Sequence, residues 1–553
     1  MEKFFKSNKL IYSIIILFGV ILCVPLFKMN LNSLNEFRIH IGRVISIKEV
    51  MKDGVFPPFI SYKHMYGFGY ALNIFYGVIT TYIPILISMV CGTSIMAVKY
   101  FTVLTVVFSG ITMYWCTYKI TNKRMASLVA ALIYMTAPYK ICDIYSRNAV
   151  GEYTAFIFIP MVFQGVYQLL HNDKKGNYFL VIGATLLVLS HTITTIYTAI
   201  FVGFYLLFNY KELKNKIFWK TILIDGIIIL MLSAFYTVPL IEHKLFGNYV
   251  IFNPDSMHTT AQDVYYNTNS VLDWFKWEVH SDLNFSFGLV IGLLMLSTVL
   301  TFKKIDKENK NQYLNYLTLA IISLYLCTKA FPWFLMPGVL TVIQFAWRMD
   351  GFFIFFISLV CGLNAEILGE KIIKHKREVL LFIMTLILIL TVLSTSLYIQ
   401  DYSSEKENEY EQSIIEAESI SLFSINREYM PDNAYADFDY IKNRKNVTYL
   451  LSGNAIITNE NKVKLHDEFE INNVENAEFE LPYLYYLGYT VKVNGKRVET
   501  YESEKGFVAF KTNENGKVEV DYTGTITEKV ALGISLVGLI SIIGYMVIKK
   551  KVT

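Results

Sequence analysis

The sequence predicts an α-helical polytopic membrane protein with about twelve transmembrane helices and an extracytoplasmic β-sandwich-like module before the last helix. Three observations lead there. The chain has 553 residues, 54% hydrophobic and 15% aromatic, a composition unusual for a soluble protein of that length. Apolar runs near the ~20 residues needed to cross a bilayer recur along it. A long polar segment, 399–528, then alternates apolar and polar residues before one more apolar run. The formal net charge of +4, with no basic stripe, argues against a nucleic-acid partner. The six cysteines form no CxxC or His/Cys cluster, so neither a thiolate metal site nor a disulfide framework is expected.

Basic residues assign the topology, because cytoplasmic loops carry an excess of Lys and Arg. Lys3, Lys6 and Lys9 place the N-terminus inside, and Lys549, Lys550 and Lys551 place the C-terminus inside, so the number of crossings is even. The expected crossings are 10–27, 95–118, 125–141, 151–170, two within 178–208, then 217–240, 285–302, 314–331, 349–367, 378–398 and 529–548. Residues 178–208 are too long for one crossing and have lysines on both flanks, which demands a bend near His191. Segment 71–91 is read as lying on or dipping into the outer surface, since a crossing there would invert every later loop. The expected organisation is a transmembrane domain 1–398 with outer loops 28–94 and 241–284, a β-rich domain 399–528, and a final helix with a basic tail, 529–553. Stretch 400–420 is acidic and reads as helix or linker. In the β-rich domain, "YTVKVNGKRVETY" carries Asn494–Gly495, a two-residue hairpin signal, and "GFVAFKTNENGKVEVDY" repeats the alternation across a glycine-containing turn.

Ionisable residues gather in the outer segments. In "LNEFRIHIGRVISIKEV" (34–50), helical spacing puts Phe37, Ile41, Val44 and Ile45 on one side and Glu36, His40 and Arg43 on the other. A solvated face of an interfacial helix accounts for that row, and so does a site in which an acid accepts a proton while cations hold an anion. "DIYSRNAVGEY" supplies Asp143, Arg147 and Glu152, the last also suited to a helix N-terminus. His64 and Tyr66 lie in a Gly- and Tyr-rich stretch, read as tyrosines at headgroup level or a floor for a sugar ring. His191 marks the predicted bend. "IQFAWRMD" supplies Arg348, with Trp347 as an interfacial anchor. The membrane-centre stretches are nearly free of charge, unlike those of ion-coupled transporters, which favours chemistry at the outer leaflet.

These motifs, in this order, resemble the YfhO-like bacterial membrane proteins, also described as 6-pyruvoyl-tetrahydropterin synthase-related membrane proteins, within the GT-C class. The resemblance rests on Glu36, His40 and Arg43 followed by "GVFPP", on "YGFGYALNIFYG", "YSRNAVGE", "LSH" and "IQFAWR", and on "LPYLYYLGYTVKVNGKRV" with "VDYTGT". Glu36 stands where the family pattern has aspartate, which moves the carboxylate by one methylene, and Ala346 replaces a proline. The resemblance implies an inverting glycosyltransferase that moves a sugar from a polyprenyl-phosphate carrier to a cell-surface glycan or teichoic-acid-type acceptor, on the outer face of the bacterial cytoplasmic membrane. Glu36 is the first candidate base, then Glu152 and Asp143. Arg43, Arg147 and Arg348 are candidates for the phosphate, and His40, His64, Tyr66 and His191 for either substrate. The cofactor is left open: a divalent metal could neutralise the phosphate, and the three arginines could take its place. A flippase or transporter of a lipid-linked glycan, and a non-catalytic scaffold of a wall-assembly complex, are the competing readings.

Overall fold

A computed structural model of the chain describes residues 7–28, 36–275, 286–398 and 427–552. The stretch 400–420 lies outside the described residues. Apolar composition and helix propensity yield α1 (Asn8–Cys23), α2 (Phe37–Lys52), α3 (Ile79–Cys91), α4 (Ser94–Thr121), α5 (Arg124–Thr136), α6 (Pro138–Cys142), α7 (Val150–Ala155) and α8 (Phe158–Leu170). They continue with α9 (Gly176–Val188), α10 (Thr192–Phe208), α11 (Lys216–Phe246), α12 (Leu289–Leu296), α13 (Lys307–Cys327), α14 (Asp350–Ile367), α15 (Lys376–Ser396) and α16 (Ile526–Val552).

Among the described residues, seven helices are long and apolar enough to cross a membrane, and one bent pair makes an eighth. The other four expected crossings fall on shorter or more polar helices. Run 178–208 breaks where expected: α9 ends at Val188, and His191, with extended backbone, caps α10. The crossing expected at 125–141 is instead bent by 40° between α5 and the helical segment from Pro138 to Arg147. Proline disfavours the helical conformation of the residue before it, and Ala137 is accordingly extended (φ −60°, ψ 142°). Segment 71–91 contains α3, whose 13 residues fall short of a ~20-residue span.

The chain divides into two compact units. The first holds residues up to 37, 86–229 and 259–407. Its helices α8, α10, α13 and α14 contribute an aromatic core in which Phe163, Phe201, Phe352, Phe355, Phe356 and Tyr316 meet edge-on, stacked or tilted. Such pairs add to simple area burial.

The second unit holds residues 38–85, 230–258 and 408–553, including an antiparallel sheet of β1 (Tyr449–Val463), β2 (His466–Leu484), β3 (Tyr489–Val493), β4 (Lys496–Val498), β5 (Thr500–Glu502), β6 (Phe507–Thr512) and β7 (Gly516–Tyr522). The strand order is β4-β3-β7-β2-β6-β5, with β1 pairing β2. Asn494 and Gly495 turn β3 into β4 with φ of 50° and 78°, the positive pair that a type I′ hairpin needs. The second expected turn is not a hairpin. β6 and β7 both pair with β2, along its second and first halves. At the interruption the Asn513 and Asn515 side chains accept from the Asn476 and Val474 backbone N–H groups at 2.7 and 2.8 Å, which keeps the chain straight along β2.

Helix α2 forms as the spacing requires, but its charged row does not face solvent. His40 and Arg43 are buried along with Phe37, Ile41, Val44 and Ile45. Arg43 stacks its guanidinium 4.1 Å above Tyr76 and donates to Thr80 Oγ1 and Gly77 O, each at 3.3 Å. The Gly- and Tyr-rich stretch is likewise not a surface of exposed tyrosines. Ser61 and Tyr70 exchange backbone hydrogen bonds at 2.9 and 3.0 Å, and Met65, Phe68 and Tyr70 are buried. Phe68 O accepts from Leu484 N of β2 at 2.9 Å.

Burial leaves a pH signature in this unit. Asp467 on β2 is fully buried, and burial, followed by the nearby Glu460 charge, pushes its pKa up to about 7. The native state therefore holds a proton that the unfolded chain releases between pH ~4 and 7, so stability falls as pH rises through that window. Lys462, pushed down to about 7 mainly by burial, acts oppositely: the unfolded chain holds the extra proton above pH 7, and stability rises again up to the ordinary lysine pKa. Hydrogen exchange of β2 amides in wild type is expected to quicken from pH 5 to 7 after correction for intrinsic exchange. Asp467→Asn flattens that slope, and an unaltered slope contradicts the assignment.

Candidate functional site

Within the first unit, the local chain path from Pro138 to Ala155 builds a cluster of charge. After the short helix α6, residues Asp143–Arg147 form one π-helical turn, a wide turn often found at functional sites. Asn148 then adopts the left-handed conformation (φ 55°, ψ 45°), which asparagine tolerates better than most residues, and the chain turns into α7. Asp143 and Arg147 are thereby placed one turn apart and Glu152 is brought back against them.

Arg147 is the hub. Its Nη1 donates to Asp143 Oδ1 at 2.7 Å and to Glu152 Oε2 at 2.9 Å. Its Nη2 donates to Glu36 Oε1 at 2.9 Å. The Glu36 backbone N–H also donates to Arg147 O at 2.8 Å, so residue 36 is fixed by main chain and side chain together. Arg348 approaches Glu152 Oε2 with Nε at 3.4 Å and donates from Nη1 to Gln344 Oε1 at 2.9 Å. Asp143, Glu152 and both arginines are buried or nearly so, whereas the Glu36 side chain is 31% exposed. Glu36 is therefore the most exposed carboxylate of the cluster.

Trp347 is not an interfacial anchor. It is buried, with the Arg147 guanidinium 4.7 Å and the Arg348 guanidinium 5.6 Å from its ring centre. Phe345 stacks on Trp347 and lies 5.0 Å from Arg348. The indole holds two cations near each other, an arrangement that cation–π attraction favours. Tyr139 donates its hydroxyl to Glu152 Oε1. Sequence reading overlooked Tyr139, although it lies only four residues before Asp143. It also overlooked Lys140, which is buried over the Tyr134 ring at 4.6 Å and donates to Ser109 Oγ, and so qualifies the expectation that the spans are nearly free of charge.

His191 Nδ1 lies 2.7 Å from Thr194 Oγ1 and accepts from Thr194 N–H at 3.3 Å. Its capping role at α10 is structural, yet the ring also lies within electrostatic range of Arg348, Glu152, Glu36 and Arg147. The remaining candidates belong to the second unit. His40 packs edge-on to Tyr76, and Arg43 is engaged as described above. His64 Nδ1 lies 3.1 Å from Ser61 Oγ, and burial pushes its pKa down to about 3, so it is neutral at physiological pH. Tyr66 has positive φ (58°) and packs against Phe438.

A mostly apolar cavity of about 70 Å³ lies in the first unit. Ile133, Pro138, Ile141, Phe287, Leu390 and Tyr398 contribute to its wall. Pro138 and Ile141 come from α6, which also carries Tyr139.

Helices of membrane-spanning length, a β-sheet module and a buried carboxylate–arginine cluster in the first unit define a polytopic membrane protein. The chain belongs to the family described as "6-pyruvoyl-tetrahydropterin synthase related domain; membrane protein", whose profile matches residues 73–401. It is 26% identical over 352 residues to an uncharacterized protein of Lactococcus lactis subsp. cremoris (strain MG1363), a match that covers 60% of this chain and 56% of that protein. The chain thus spans little more than half of that relative's length. Among solved structures it is similar to the apo form of the Archaeoglobus fulgidus oligosaccharyltransferase, with a TM-score of 0.35 and 10% identity over 79% of this chain and 59% of the other.

Proposed function

We propose that the protein is a GT-C-type membrane glycosyltransferase that moves a sugar from a polyprenyl-phosphate carrier to a surface glycan or teichoic-acid-type acceptor on the outer face of the cytoplasmic membrane. The observation that carries this reading is the convergence of Glu36, Asp143, Glu152, Arg147 and Arg348 in one cluster. Of these, Glu36 is open to substrate.

In this account Glu36 accepts the proton of the acceptor hydroxyl. The acceptor oxygen bonds to the anomeric carbon as the bond from that carbon to the phosphate oxygen breaks, with inversion, and polyprenyl phosphate leaves with the electron pair. Guanidinium matches phosphate geometry, and Arg348 and Arg147 stabilise the charge that grows on the leaving group. Both arginines already hold carboxylates, so phosphate binds by sharing them rather than by filling an empty cationic pocket. Asp143 and Glu152 fix the Arg147 fork, and Tyr139 fixes Glu152. The apolar cavity beside α6 suits the isoprenoid chain. His40, Arg43, His64 and Tyr66 are assigned to the second unit's architecture first, with any substrate contact subordinate to it. Twelve crossings, cytoplasmic termini and an external β-module complete the proposed topography.

A deletion strain tests the reading. Its surface glycans are expected to lack one sugar substituent, restored by the wild-type gene and detected by mass spectrometry of isolated wall and lipid-anchored polymers. An unchanged glycan profile across those polymers contradicts it.

A further inference from the structure

The second unit contains a group of potential metal ligands at the end of α11 and the start of α16. Glu242, His243 and Glu528 each present one ligand atom, and these atoms all lie within 4.8 Å of one another. Ligands at about 2.1 Å around a tetrahedral ion sit about 3.4 Å apart, so small side-chain rotations close the set around one ion.

Two acids and a histidine in proximity do not make a site by themselves. Glu528 has a local explanation: Thr525 Oγ1 accepts from Glu528 N–H at 3.0 Å, and Glu528 Oε2 accepts from Thr525 N–H at 3.0 Å. This reciprocal pair is a capping box. Glu242 Oε2 accepts from Thr525 Oγ1 at 2.7 Å.

The histidine supplies the independent observation. His243 is fully buried, and its Nδ1 donates to Pro239 O at 2.9 Å, since a carbonyl can only accept. That bond fixes the tautomer and leaves Nε2 as a bare lone pair. Nε2 is buried with no hydrogen-bond partner among the described residues. A backbone-anchored Nδ1–H with an unengaged Nε2 lone pair is the usual preparation of a metal-binding imidazole, and a buried acceptor with no partner is otherwise costly. Phe75 and Tyr249 pack against the ring and restrict its rotation.

We propose that Glu242, His243 and Glu528 bind one divalent transition-metal ion that clamps the end of α11 to the start of α16. One imidazole and two carboxylates suit Zn²⁺ or Mn²⁺ better than Ca²⁺ or Mg²⁺, which favour all-oxygen shells. The ion also offsets the repulsion between two carboxylates held near each other. A cavity of about 270 Å³ borders the group and is walled in part by Glu242, Thr525, Tyr485 and Arg497. Of the three ligands, Glu242 lines this cavity, so water reaches the group from the Glu242 side. The site is independent of the glycosyltransferase reading and survives its failure.

The test uses the full chain purified in detergent, stripped with EDTA and reloaded with Zn²⁺ or Mn²⁺. Elemental analysis is expected to find one equivalent of one of these ions, with a reversible rise in Tm of several degrees. His243→Ala and Glu528→Gln are each expected to weaken binding at least about tenfold, with Glu242→Gln as the third arm if either variant fails to elute as a single species. Absence of bound Zn²⁺ and Mn²⁺ in wild type overturns the proposal, as does undiminished binding in the variants.

Discussion

Glu36→Gln is expected to lower sugar transfer about 10²–10⁴-fold, the range in which a positioned general base contributes, while the protein still folds. Glutamine keeps the oxygen that accepts from Arg147 Nη2, so the contact survives and only proton acceptance is lost. Folding is spared for a second reason. The cluster sets three carboxylates against two guanidinium groups, and neutralising the most exposed acid relieves its surplus of negative charge. Glu36→Asp distinguishes a base from a brace. A base shortened by one methylene keeps its proton-accepting group and so retains part of its activity, whereas a brace acts through its contact with Arg147 alone. The readout is the glycan substituent in a deletion strain complemented with each variant at matched protein level. Wild-type substitution levels with Glu36→Gln exclude residue 36 as the base.

Arg147→Ala is expected to have the largest effect on stability. Arg147 is the shared partner of Asp143, Glu152 and Glu36, and two of those carboxylates are buried. Removing one member of a buried ion pair leaves an uncompensated charge and costs about 3–5 kcal/mol. The alanine also takes away the guanidinium that rests on Trp347, with a further loss of cation–π contact. Arg147→Lys restores one positive charge but not the planar fork that serves three acceptors, so its stability should fall between wild type and alanine. Fluorescence-detected size exclusion after a temperature ramp in detergent reads this ordering. An Arg147→Ala protein with wild-type Tm shows that the carboxylates are compensated elsewhere.

Much of the membrane part was legible because hydropathy and charge act locally. The bend at His191 followed from the length of 178–208 and its flanking lysines. The bend at Ala137 did not follow, although Pro138 announced it, because the run from 125 to 141 stayed apolar through the break. In the β-module Asn494–Gly495 encoded its own turn, since the positive φ pair is a property of those two residues. The Asn513–Asn515 stretch looked like a second turn, and its straight path depends on β2, which lies about forty residues earlier in the chain.

The site was legible in its components but not in its pairing. Asp143, Arg147 and Glu152 are close in sequence, and their π turn and Asn148 kink convert that proximity into contact. Glu36 joins them from a distant segment, which no local pattern records. His40 and Arg43 share helical spacing with Glu36, but the helix begins at Phe37, and burial rather than solvation claims both residues. Trp347 was misread because an aromatic next to an arginine at a helix end is common at membrane interfaces. Only the fold shows the indole buried under two guanidinium groups.

The central claim is that one reachable carboxylate and two held arginines transfer sugar from a polyprenyl-phosphate carrier. Its most direct measurement is the release of polyprenyl phosphate from a labelled polyprenyl-phosphate sugar by purified protein in the presence of isolated surface polymer. The account predicts release matched by label in the polymer, abolished by Glu36→Gln and by Arg348→Ala. Release or labelling that proceeds equally in wild type and both variants would contradict it.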